Sequence, residues 1–349
     1  MSYDLYGTTA LLGVIRKVPI ESSYWLDNFF GSQINFDTED IMFDKVKSYR
    51  RMAPFVSPVV QGRVMKSRGY ETVSFRPAYT KPKHIVDPNK MFTRLAGEGL
   101  GGTLSPGARW NAAVADNLRE EKESIYRLWS WMAAMAIIHG EVTVTGEDYP
   151  TQVVNFGRHG DLTETLAGTA RWGEADADPL GDVQNLRKLA FQHSGSPITR
   201  LTMGLEAFDR FFDDEDVQKL LKDDIRTSKS ELSAIGSTDT PYEYRGVLQG
   251  YNGQGRLEIF TYNEQYEDAD DNTVDMMSTY DVIGTGNGLR GTRCFGAIRD
   301  RRAGLQPSPL FPKMWDNEDP SVTYTMSQSA PLMVPGNPDN SFRLVSYTP

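Results

Sequence analysis

Few residues in this chain are of types that do chemistry, and their spacing decides against most of the chemistry they suggest. Gly286-Asn287-Gly288-Leu289-Arg290-Gly291 has the form G-x-G-x-x-G. That form holds a pyrophosphate only when it opens a helix whose first N–H groups point at the ligand. The run that follows, TRCFGAI at 292–298, is strand-like, so a plain loop is expected. Asp268, Asp270 and Asn272 imitate the first ligands of a calcium loop. Thr273 stands where such a loop needs glycine and Thr279 where it needs a bidentate glutamate, which leaves a solvated acidic turn.

His84, His139, His159 and His193 are dispersed, with none at the spacing of a metal pair. His159 beside Asp161 is half of a hydrolytic triad, yet no G-x-S-x-G elbow supplies a nucleophile. Cys294, the single cysteine, excludes an intrachain disulfide and reads as a small buried apolar side chain. The expectation is a protein that is not an enzyme, with no catalytic residues, no metal and no cofactor.

Composition narrows the partners. A chain of 349 residues has room for two average domains and a sizeable core. A net charge of −10 argues against a nucleic-acid-binding face, which needs a basic surface to displace counterions. The longest nearly apolar run, residues 128–138, is about half of what a bilayer crossing requires. No basic n-region precedes the short apolar run at 10–15, so a signal peptide is not expected. The distribution of charge says more than its total. Residues 51–100 hold nine basic against three acidic side chains, a local balance of +6. Residues 201–280 hold eighteen acidic against seven basic, a balance of −11. Complementary patches of this kind on identical subunits steer head-to-tail contacts, and an intramolecular pairing leaves the same signature.

The elements that position these residues are organised around one long helix, residues 105–140. Ser105 suits the N-cap, Pro106 the first helical position and Gly140 the left-handed end. Val114, Leu118, Ile125, Leu128, Trp129, Met132, Met135 and Ala136 recur at helical steps and draw one apolar stripe, with Glu120, Glu121 and Glu123 mostly off it. At 1.5 Å per residue such a rod spans roughly 50 Å. Before it, residues 59–66 and 70–77 read as the strands of a basic hairpin bracketed by prolines, poor in large aliphatics and weakly alternating. An isolated hairpin is marginal in water, so this one needs another surface, either in its own sheet or on a neighbour. The aromatic-rich first fifty residues have no clear period and are expected to lie along something else as an arm. After the long helix come two strands, a helix at 179–193, a helix at 205–221 and a mixed α+β unit around 196–312.

This order, with its motifs, resembles the tailed-phage major capsid proteins of the Hong Kong 97-like fold, and most closely their lambda type. The residues that carry the resemblance are FVSPVVQGRVMKSRG at 55–69, RPAYTKPKHIVDP at 76–88 and NLREEKESIY at 117–126. VTGEDYP at 144–150, GLRGTRCFGAIRD at 288–300, FPKMW at 311–315 and TMSQSAPLM at 325–333 continue it in consistent order. The resemblance implies an α+β capsid subunit in five parts: an N-terminal arm (1–53), an extended β-hairpin loop (54–93), a peripheral domain with its spine helix (94–195), an axial domain (196–312) and a C-terminal strand (313–349) returning to the peripheral domain. It further implies self-assembly into hexamers and pentamers of an icosahedral shell around the double-stranded DNA of a tailed bacteriophage. A separate scaffold, a portal and a head decoration protein are the implied partners, with the virion as location and the host cytoplasm during assembly. An encapsulin-like compartment on the same fold is the alternative. The charge segregation nominates Arg63, Lys66, Arg68 and Arg76 to meet acidic surfaces of a neighbour, with Glu120, Glu121 and Glu123 as candidate receivers.

Overall fold

The long helix forms as its local signals dictate. In the computed structural model of the chain, Pro106–Ile138 is one uninterrupted helix of 33 residues. The described residues are 7–19, 22–38, 40–46, 52–53, 55–59, 61, 64, 70–87, 91–93, 104–146, 149–223, 231–232, 240–248, 255–268, 270–304, 307–319 and 322–347. Ser105 Oγ accepts from the Ala108 N–H at 3.2 Å, and Gly140 takes φ +72° just past the end. The last turn carries no basic side chain of its own. Arg158 supplies one from the following loop, donating to the Ile137 and Ile138 carbonyls at 2.7 and 2.9 Å, where the helix dipole favours a cation. Burial pushes that guanidinium's pKa down to about 10, which still leaves it charged. The expected stripe is buried from Val114 through Leu118, Ile125, Trp129, Met132 and Ala136.

Two further helices precede it: α1 (Thr8–Lys17) and α2 (Tyr24–Phe29), making the long helix α3. Among the described residues of the first fifty, α2 packs into the core. Tyr24, Trp25, Leu26 and Phe30 are at most 1% exposed. Tyr24 packs its ring against Tyr242, Phe260 and Tyr262 and bonds Thr202 Oγ1 through its hydroxyl at 2.6 Å. The buried Lys122 of α3 donates to the Ile15 and Val18 carbonyls at 2.6 and 2.8 Å, closing the C-terminal end of α1.

The basic hairpin pairs differently from expectation. Tyr70–Phe75 runs antiparallel to Ile41–Val46, with Ile41 opposite Phe75 and Val46 opposite Tyr70. Ile41 is buried, Met42 exposed and Phe43 half-buried, and 72–75 alternate in step. That shared period of two is what fixes the register. Most of 59–66 lies outside the described residues. At the base of this extension, Lys83–Val86 pairs with Val322–Gln328, which pairs in turn with Phe311–Asn317; the first two strands lie on α3 and the third on α1.

The second half is built around a seven-stranded sheet. Its order is Thr163–Thr165, Ser341–Val345, Asp281–Thr285, Arg200–Met203, Leu257–Tyr262, Tyr242–Leu248 and Glu231–Leu232. Both faces are covered. Phe260, Tyr262 and Ile283 face the core shared with α2 and α3. Leu201, Met203, Ile259, Val282, Phe342 and Leu344 face a second core under α4 (Pro179–Ser194) and α5 (Leu205–Asp213). So α4 packs with this sheet. The final strand enters the seven-stranded sheet and also touches α3, and 322–334 lie against α3. The reason is local: Phe342 fills the space that a Cβ on Gly284 would occupy, and Arg343 on the other face forks onto Asp281 with both contacts at 3.1 Å. The helix expected over 205–221 is two. Asp214 is extended, and its Oδ1 accepts from the Asp216 and Val217 N–H groups at 3.0 Å, starting α6 (Glu215–Asp223).

Candidate assembly surface

The glycine-rich loop runs straight into the strand Thr292–Phe295, so no helix N-terminus stands behind it. Asp268 spends one carboxylate oxygen on its own turn, accepting from the Asp270 and Asn272 N–H groups at 2.9 Å. With those two motifs accounted for as local structure, the surface itself is the remaining candidate.

Of the nominated cations, Arg63, Lys66 and Arg68 lie outside the described residues. Arg76 is described, and its Nε sits 3.0 Å from Asp40 Oδ1, both side chains about half exposed. That pair ties the end of the hairpin to its own base and is worth little in stability. On α3 the three glutamates separate. Glu120 is exposed, with Oε2 at 3.6 Å from His84 Nε2, and Glu123 is half-buried. Glu121 is fully buried: Ser327 Oγ donates to its Oε2 at 2.6 Å, and His84 Nδ1 stands 3.5 Å from its Oε1. Burial raises the Glu121 carboxyl above its ordinary pKa, against the opposing pull of hydrogen bonds from Ser327 and Thr325 and of His84. A carboxylate enclosed in its own subunit does not receive a neighbour's arginine, so Glu121 drops out as a receiver. The sequence carried the signal: Glu121 stands three residues after Leu118 and four before Ile125, on the stripe itself.

Sequence reasoning missed His84, which bridges the strand at the base of the extension to α3. Its neighbour Lys83 lies over the Tyr324 ring at 3.8 Å. Tyr79 donates from its hydroxyl to Gln328 Oε1 at 3.2 Å and accepts from the Arg299 N–H at 2.7 Å. The base of the extension is therefore anchored at several points.

Its outer part is the opposite. Phe55 is 98% exposed, Val59 92% and Val64 96%, with Met52 and Phe92 also facing out. Burying a side chain of this kind is worth about 1.5–3 kcal/mol, so their exposure in one subunit is a cost that a partner surface removes. Elsewhere on the chain, Ser124, Arg127, Leu128 and Trp131 of α3 form one wall of a groove of about 510 Å³ whose other side includes Tyr79, Tyr266, Glu267 and Asp268. Leu128, Trp131, Met132 and Val144 make its lining largely apolar, with Arg127 on one side and Glu267 and Asp268 on the other.

Among the described residues, the extension carries exposed apolar side chains, and the groove beside α3 is lined by apolar residues together with Arg127, Glu267 and Asp268. The model of the phage major capsid protein E family matches residues 7–346. The chain belongs to that family. It is 30% identical over 345 residues to the major capsid protein of enterobacteria phage P21, with 96% of this chain and 97% of that one covered. It is 29% identical over 348 residues to the major capsid protein of Escherichia phage lambda, with the same coverage. A protein of an Escherichia coli CFT073 prophage, described as its capsid protein, superposes with a TM-score of 0.72 at 21% identity over 97% of this chain and 98% of that one. The fold is that of tailed-phage capsid proteins, α+β and Hong Kong 97-like, and the role of the chain is to build the virion shell.

Proposed function

We propose that the subunit assembles into pentamers and hexamers that close an icosahedral shell around the double-stranded DNA of a tailed phage, without catalysing a reaction. The seven-stranded sheet with α4, α5 and the last strand is the axial domain of this reading. The α3 unit is the peripheral domain, and the extension around 41–93 is the element that reaches a neighbour. One observation carries it: Phe55, Val59 and Val64 are almost wholly exposed, more so than any other large apolar side chain among the described residues. The groove beside α3 is the matching receiver, because its lining is largely apolar and Glu267 and Asp268 oppose the cations Arg63, Lys66 and Arg68. Many such weak contacts around a ring give avidity while each remains reversible.

An acidic chain also suits a container for DNA, since it does not hold the packaged polymer tightly to its wall. A separate scaffold, a portal and a head decoration protein are the further partners, with assembly in the host cytoplasm. The test is the double variant Arg63→Glu and Arg68→Glu. It should leave a folded subunit that forms no shells in electron micrographs; normal shells from it contradict the proposal.

A further inference from the structure

Two histidines that the sequence holds far apart meet in the fold. His159 and His193 stack ring on ring, centroids 3.9 Å apart and planes 21° from parallel. Asp161 completes the group, its Oδ2 at 3.4 Å from His159 Nδ1. One ligand atom from each of the three lies within 4.8 Å of the others. We propose that His159, Asp161 and His193 form a binding site for a divalent first-row transition-metal ion of the zinc class.

The donor set suits such an ion. Two imidazoles and one carboxylate are the ligands of many zinc sites, and three protein ligands leave a further position for water. Bonds of about 2.0–2.2 Å place donors of one ion about 3–3.5 Å apart. The His159–Asp161 distance already satisfies that. The remaining gap closes by roughly 1 Å if the stacked rings tilt so that their ligand edges approach. The site is open enough for this rotation, since the His159 side chain is 48% exposed, Asp161 is 64% exposed and His193 is half-buried.

Apart from a long bond from the Asp161 N–H to His159 Nδ1 at 3.4 Å, the backbone that presents the ligands is fixed by contacts that do not use them. The His159 N–H donates to Asp339 Oδ1 at 2.8 Å. Arg158, one residue before, is locked on the α3 C-terminus and on Thr163 Oγ1 at 2.9 Å. His193 stands in the last turn of α4, which Gly195 ends at φ 80° and Ser194 ties back to the Ala190 carbonyl at 2.6 Å. Two rigid segments thus hold the ligands in near register, which lowers the ordering cost of capture. A bound ion would bridge the loop after residue 156 to the end of α4.

The test is a titration of untagged, chelator-treated full-length protein with zinc ion in a calorimeter, and with cobalt(II) by visible absorption as a readout of coordination. One ion per chain is expected, with a cobalt ligand-field band. His193→Ala and Asp161→Ala should each weaken binding by about tenfold or more, as loss of even an outer partner often does. Asp161 is exposed and His193 half-buried near the end of α4, so circular dichroism should be unchanged in each. Asp270→Asn, in the unrelated acidic turn, should bind as the parent does. Absence of saturable binding, or binding that survives both substitutions, overturns the site. This outcome is independent of whether the chain forms shells.

Discussion

The seven-stranded sheet and the extension around residues 41–93 follow opposite rules. In the sheet both faces are covered within one chain: Asp281–Thr285 is buried at every position, and Phe342 and Leu344 are wholly enclosed. In the extension Phe55, Val59 and Val64 face outward almost completely. Between them, the base of the extension is anchored to α3 by strand pairing and by His84 and Lys83. The contrast separates what stabilises a subunit from what joins subunits. Substitutions in the sheet should cost folding, and substitutions in the extension should cost assembly.

The sharpest separation is expected from the extension. Val59→Asp with Val64→Asp should abolish shells by electron microscopy, because charges cannot enter an apolar interface. Unfolding of the unassembled subunit should move by no more than about 0.5 kcal/mol, as for surface changes generally. In the sheet, Arg343→Ala leaves the buried Asp281 carboxylate without its forked partner. Burial already raises that carboxyl above its ordinary range, with Arg343 opposing it. The expected loss is about 3–5 kcal/mol in denaturant unfolding of the subunit.

A smaller effect should appear in acid. Partial burial alone would raise the Asp300 pKa, yet hydrogen bonds from Lys313, Gln328 and the Arg302 N–H bring it down to about 2. Its depressed value means stability that is present above about pH 4 and is lost as pH falls through about 2. Asp300→Asn should flatten the acid limb of the unfolding curve by about 1–2 kcal/mol and leave its pH dependence near neutrality alone. The smallest change is expected at Glu121→Gln. The amide keeps a partner for Ser327, while the buried charge disappears. Because Glu121 is raised, its ionisation weakens the fold as pH climbs through the folded pKa. The variant should therefore gain up to about 1 kcal/mol near pH 8 and converge with the parent in acid.

How much of this was legible in the sequence depended on distance along the chain. The bounds of α3 were readable because Ser105, Pro106 and Gly140 act within one turn. So was the strand after Gly291, which removed the dinucleotide reading. Asp214 is a cap signal that an apolar count over 205–221 overlooked. The partner of Tyr70–Phe75 was harder, since Ile41–Val46 pairs with it across a long connection. The entry of Ser341–Val345 into a sheet with Asp281–Thr285 depends on Gly284 making room for Phe342, a fit between residues far apart in sequence. For the assembly surface, the basic charge and weak amphipathicity of the extension were visible. The groove was not, because it is made jointly by α3, residues 78–80, 144–145 and 266–268. The inward turn of Glu121 was readable from its place between Leu118 and Ile125.

The claim that the extension docks on a neighbour is tested most directly by placing a benzophenone photo-crosslinking side chain at Val59 and irradiating assembled shells. The account predicts covalent adducts between chains, a ladder of oligomers on a denaturing gel, with the captured peptides from the groove at residues 124–131 and 266–268. Adducts confined to a single chain, or captured peptides from the seven-stranded sheet, would contradict it.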